Sequence, residues 1–180
     1  MRSSRLIAML AAVVVTAAPA RADRLVAMKI EAPEITDADD WINTKPLELK
    51  DLRGRVVVLH FWTFGCINCI HNYPCYRDWH KKYSGKGVTV IGIHTPETRA
   101  ETVVARVRQK VKAHRLTYAI AVDGAAKIWN AWGNSFWPTT YLIDKKGYVR
   151  YRWDGELNWN KGRGEKIMRA KLEELLAEKD

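Results

Sequence analysis

The chain has 180 residues, 47% hydrophobic and 28% charged, with a formal net charge of +10 and three cysteines. That length and apolar share suit one domain whose core needs no covalent staples, which excludes a disulfide framework. The basic residues are spread along the chain rather than gathered in one block, so they read as a solvated surface and no nucleic-acid partner is expected.

Residues 1–22 carry an export pattern. Arg2 and Arg5 form a positive n-region, Leu6 to Ala18 is apolar, and Ala20-Arg21-Ala22 reads as an A-x-A cleavage site. The apolar stretch is shorter than the roughly 20 residues of a membrane span, so cleavage rather than anchoring is expected. This leaves residues 23–180 as the domain, in a periplasmic or otherwise extracytoplasmic place. Removal also takes three arginines and no acid, which brings the net charge to +7.

After an irregular lead-in with Pro33 and Pro46, the seven apolar-rich residues Val56 to Trp62 predict a buried strand. A helix is expected from about Cys66 to Tyr83, closed by Ser84-Gly85 and Gly87. Val88 to Ile93 is the next strand. Thr95-Pro96-Glu97 opens a second helix with Val103, Val104, Val107 and Val111 as its apolar stripe. A strand over Tyr118 to Val122 and a short helix over Ala125 to Trp132 follow. Thr140 to Ile143, the turn Asp144 to Gly147 and Tyr148 to Trp153 read as a hairpin. The last helix, about Lys161 to Ala177, offers Ile167, Leu172, Leu175 and Leu176 to the core.

Strand, C-x-x-C, then helix is the order that a thiol-disulfide exchange centre needs. Cys66 falls at a helix N-terminus, where unpaired N–H groups and the helix dipole favour a thiolate. Cys69 lies one turn deeper, about 4.5 Å along the axis, close enough for a short disulfide. Cys66 is therefore the expected attacking thiol and Cys69 the resolving one. Cys75 would sit about 9 Å along the helix from Cys69, too far for a bridge, and is read as a small buried apolar residue.

Three segments carry a family resemblance: Val58-Leu59-His60-Phe61-Trp62-Thr63-Phe64-Gly65-Cys66-Ile67-Asn68-Cys69, Val88 to Glu97, and Trp137-Pro138-Thr139-Thr140-Tyr141-Leu142-Ile143-Asp144. In this order they resemble the thioredoxin superfamily, and within it the exported TlpA-like and DipZ-like modules. Pro74 also matches the proline that kinks the first helix of thioredoxins. The resemblance implies an α/β thioredoxin-like fold, a central mixed sheet with helices on both faces. It implies a protein-disulfide reductase without cofactor that acts on disulfide-containing protein substrates, is recharged by a membrane thiol reductant and works as a monomer. It makes Pro138 the cis-proline opposite the cysteines.

Two departures stand out: Gly65 replaces the usual tryptophan before the first cysteine, and His60 replaces an acid six residues before it. His60, with an ordinary pKa near 6.5, is a candidate acceptor for the Cys69 proton. Glu97, matched to a glutamate near the cysteines of TlpA-like and ResA-like proteins, is the second. Trp62, Phe64, Phe136 and Trp137 are expected to form an apolar collar that receives an extended segment, with Thr139 beside them. The other tryptophans, Trp159 among them, are assigned to packing.

A zinc site fails because Cys66, Cys69, Cys75, His71 and His80 lie on one helix and cannot close a tetrahedron. Haem attachment fails because Ile70, not histidine, follows Cys69. A copper-handling module using both thiolates and His94 is the non-enzymatic alternative. A thiol peroxidase is the enzymatic one, since Thr63 stands at the right spacing before Cys66, although Leu59 takes the place of the proline such enzymes carry.

Overall fold

A computed structural model describes residues 24–179. The export segment lies outside the described residues. Seven strands form one sheet in the order β1-β7-β6-β3-β4-β5-β2. They are β1 (Leu25–Glu31), β2 (Asp40–Ile42), β3 (Val56–Trp62), β4 (Val88–His94), β5 (Ala119–Val122), β6 (Thr139–Ile143) and β7 (Tyr148–Asp154). The helices are α1 (Ile67–Tyr83), α2 (Val104–Ala113), α3 (Lys127–Ala131) and α4 (Gly164–Ala177).

Every residue of β3 is buried, because the strand lies mid-sheet, parallel to β4 and antiparallel to β6, with helices on both faces. One core joins Val56, Val58 and Trp62 to Tyr73, Tyr76 and Trp79 of α1, Val107 and Val111 of α2, and Leu172 and Leu175 of α4. The other joins Val57, Leu59 and Phe61 to Ile128 of α3 and to Ala32, Ile35 and Leu49 of the N-terminal segment. This two-period alternation along β3 places His60 on the α1 face. The expected mixed sheet with helices on both faces is the observed one.

Three elements depart from the sequence reading. The lead-in contains two strands, β1 paired antiparallel with β7 and β2 paired antiparallel with β5. The second helix does not begin at Thr95. Thr98 starts a 3₁₀ turn, Arg99–Thr102, and α2 follows it, leaving Val103 exposed and outside the apolar stripe. The last helix begins at Gly164, after a separate turn at Trp159–Lys161.

Candidate functional site

The chain leaves β3 at Trp62, turns through Thr63 to Gly65, and enters α1 with Cys66 as its N-cap. Cys66 and Cys69 are joined as a disulfide with Cα atoms 5.3 Å apart. Cys66 Sγ also accepts the Cys69 backbone N–H at 3.2 Å, so one orphan donor of the helix end already points at it. Cys66 is half-buried, whereas Cys69 is fully enclosed among Trp62, Tyr73 and their neighbours. A half-buried cysteine at the dipole end and a fully enclosed one behind it is the asymmetry that attack followed by resolution requires.

The register of β6 against β3 pairs Thr139 with Phe61, which carries Pro138 to the same sheet end as the cysteines. The Trp137–Pro138 peptide bond is cis. The Pro138 carbonyl accepts the N–H of Gly155 at 2.7 Å, and Gly155 in turn faces α1, where Asn72 Nδ2 reaches its carbonyl at 3.4 Å. Asn72 Oδ1 accepts the Leu157 N–H at 2.8 Å, so α1, the turn after β7 and the Pro138 loop are tied together. Between them opens a groove of about 460 Å³ lined by Asn68, Phe136, Glu156, Trp159 and Arg24.

The expected collar is only partly assembled there. Phe136 is 44% exposed on the groove wall, but Trp62 is fully buried, edge-on to Tyr73 and His94. Trp62 therefore cannot touch a substrate, because the strand that delivers Cys66 turns it into the core. Trp137 is half-buried against Trp129, with ring centroids 4.2 Å apart. Thr139 is buried and donates to the Phe136 carbonyl at 2.9 Å. Phe64 is half-buried on His94, with Lys110 Nζ 5.7 Å from its ring centre. The apolar residues of the groove wall are instead Phe136 and Trp159, the latter 57% exposed and not buried in packing as expected, while Ile67 is 59% exposed on the first turn of α1.

The proton acceptors are also rearranged. His60 is stacked on Tyr76, with ring centroids 3.9 Å apart, and its Nε2 is 3.1 Å from the Tyr118 hydroxyl. Burial pushes its pKa down to about 3, so the ordinary value that made it a base at neutral pH does not survive folding. Burial likewise pushes His94 down to about 4. Glu97 is exposed, and its backbone N–H rather than its carboxylate joins the site.

The buried acid is Glu101, which is 2% exposed. Its Oε1 accepts the Gly65 N–H at 2.8 Å; its Oε2 accepts the N–H groups of Glu97 and Thr98 at 2.9 and 2.8 Å and the Thr98 hydroxyl at 3.1 Å. Burial opposes its ionisation, but the Thr63 side chain and the three N–H donors outweigh that and hold its pKa below the ordinary carboxylate value. Glu101 escaped the sequence reading. The T-x-x-E spacing of Thr98 and Glu101 was a legible capping signal, but nothing in it shows that the second oxygen reaches a residue 36 positions earlier.

A family model described as the AhpC/TSA family matches residues 28–152. The chain belongs to this family. Within it, the chain is 35% identical over 126 residues to the thiol-disulfide oxidoreductase ResA of Bacillus cereus, covering 70% of this chain and 69% of ResA. It is 39% identical over 132 residues to protein DipZ of Mycobacterium bovis, covering 72% of this chain and 19% of DipZ. The chain thus spans about a fifth of the length of that relative. A thioredoxin-like protein solved in its oxidised form superposes with a TM-score of 0.72 at 25% identity, over 84% of this chain and 98% of that one. The thioredoxin-like fold and the TlpA-like and DipZ-like resemblance therefore stand.

Cys75 is a free thiol outside the Cys66–Cys69 pair, and its pKa is pushed up to about 11 chiefly by burial. Among the described residues no group of three His, Cys, Asp or Glu side chains is placed to hold a metal ion. Among them, too, no helix is long and apolar enough to cross a membrane. Thr63, the residue on which the peroxidase alternative rests, is fully buried and lies beside Glu101.

Proposed function

We propose that this chain is an extracytoplasmic thiol-disulfide oxidoreductase that reduces disulfides in extended protein segments. The observation that carries the reading is the Cys66–Cys69 disulfide, with its first cysteine half-buried at a helix N-terminus and its second enclosed. In the reduced state, Cys66 thiolate attacks one sulfur of a substrate disulfide. A mixed disulfide forms, and the other substrate sulfur leaves as a thiolate that takes a proton from solvent. Cys69 loses its proton and attacks Cys66 Sγ, re-forming the internal disulfide and releasing the second substrate thiol. Two electrons pass to the substrate, and a membrane thiol reductant returns them.

The groove walls give the substrate its place. Pro138, whose carbonyl accepts the Gly155 N–H, lies at the sheet end that carries the cysteines, while Phe136 and Trp159 on the groove wall and exposed Ile67 on the first turn of α1 offer apolar surface to residues flanking the substrate cysteine. The names of ResA and similar relatives support the reaction class, and the export pattern in residues 1–22 supports the location.

The test uses the reduced protein and a peptide with one internal disulfide, following thiol release. Cys66→Ser should abolish turnover, and Cys69→Ser should accumulate a mixed disulfide visible by mass. Turnover of the peptide by Cys66→Ser would sink the assignment. Hydrogen peroxide as the alternative oxidant separates the peroxidase reading, which requires faster oxidation by peroxide than by the peptide.

A further inference from the structure

We infer that Glu101 is a positioning residue for the redox pair: its carboxylate anchors the Gly65 N–H immediately before Cys66 and biases the pair toward the disulfide. The inference rests on the thiol-exchange reading and adds to it a residue that sets the redox balance.

The geometry has two independent parts. First, Oε2 alone completes the local turn, taking the N–H groups of Glu97 and Thr98 and the Thr98 hydroxyl. A capping role needs nothing more. Oε1 is left over, and it crosses to the loop between β3 and α1 to take the Gly65 N–H. Second, the loop is built to admit it. A Cβ on Gly65 would stand 2.7 Å from Oε1, closer than real contacts allow, so any other residue at 65 pushes the carboxylate away. The glycine that departs from the usual tryptophan of such families is thus the space that Glu101 occupies.

The electrostatic consequence follows from distance. One residue separates the anchored N–H from the N-cap, and covalent geometry keeps the carboxylate within roughly 10 Å of Cys66 Sγ. That is inside the screening length of about 10 Å at 0.1 M salt, with buried protein rather than water around the carboxylate. A fixed negative charge there disfavours the Cys66 thiolate. Since the thiolate stabilises only the reduced state, the carboxylate favours the disulfide and makes the dithiol a stronger electron donor. The groups facing this charge from the packed elements are His94 of β4, neutral above about pH 4, and Tyr73 of α1; Lys110 of α2 lies further out, over Phe64. None of the three cancels it with a buried positive charge at neutral pH.

The experiment compares the wild type with Glu101→Gln and Gly65→Ala. Two quantities are read: the pH dependence of Cys66 alkylation, and the equilibrium of the pair with glutathione. Glu101→Gln removes the charge and keeps the shape. It should lower the Cys66 pKa and lower the equilibrium constant for disulfide formation roughly three- to tenfold, tenfold being about 30 mV. Gly65→Ala should move both quantities the same way by displacing the carboxylate. If both variants fold and leave the Cys66 pKa and the equilibrium constant unchanged, or if Glu101→Gln raises that pKa, the inference is wrong and Glu101 is only a cap. A wild type that does not equilibrate with glutathione at all would instead remove the thiol-exchange reading beneath it.

Discussion

Protonating His60 where it sits would put a charge into a fully buried slot between Tyr76 and Tyr118. Its pKa of about 3 and the value of about 4 at His94 make both rings neutral throughout the range in which thiols exchange. Burial thus makes His60 a poor acceptor for the Cys69 proton, and in His60→Gln the pH profile of mixed-disulfide resolution should keep its midpoint. A shift of that midpoint by a unit would restore the histidine as the base. The same depressed values link to stability. Unfolded histidine titrates near 6.5, so the stabilisation is complete above that pH and is lost as pH falls toward 3–4, where the folded rings finally charge. Between pH 7 and pH 5 each of the two histidines should cost about 2 kcal/mol of unfolding free energy. Urea unfolding at the two pH values checks this, and His60→Gln should remove about half of the part due to the pair. Equal acid losses in wild type and variant would contradict the burial argument.

At the scale of elements, β3, β4 and β5 leave no room for a side chain at Gly92. A Cβ on Gly92 of β4 would lie 2.7 Å from Ile120 Cδ1, 2.9 Å from His60 Nε2 and 3.0 Å from Trp62 Nε1. Ile120 can turn its methyl, but the two rings are held by Tyr76, Tyr118, Tyr73 and His94 and cannot. Gly92→Ala should destabilise by about 1–3 kcal/mol through overpacking. A lower urea midpoint at unchanged m-value is the expected signature, and an unchanged midpoint would mean that the strands separate more easily than their packing implies. The legibility of the elements follows burial. Val56 to Trp62 was readable because all seven residues are enclosed and the run is apolar. Leu25 to Glu31 was not, because β1 is an edge strand with five of seven residues exposed, which leaves no alternation to see. The three residues of β2 are too few for any period. Thr95-Pro96-Glu97 looked like a helix start, but the capping pair three residues on, Thr98 and Glu101, sets the turn instead.

For the molecule as a whole, the sequence displayed the sulfurs and the cis-proline strand but not what surrounds them. Chain-distant placements decide that surrounding: Glu101 bonded to Gly65, Asn72 bonded to Leu157, and Trp159 lining the same groove as Asn68. Each joins segments between 36 and 91 positions apart, beyond any local pattern. Location is a separate expectation, resting on the sequence pattern of residues 1–22. If the export reading holds, protein recovered from an extracytoplasmic fraction should begin at Asp23 by mass spectrometry, whereas an intact Met1 terminus in the membrane pellet would favour an anchor. The central claim, a reductant built on Cys66 and Cys69 with a buried carboxylate behind it, is tested most directly by titrating the pair against glutathione at pH 7. A midpoint nearer the about −270 mV of thioredoxin than the about −120 mV of DsbA is the expected result. A midpoint above about −180 mV, where protein disulfide isomerase lies, would contradict it.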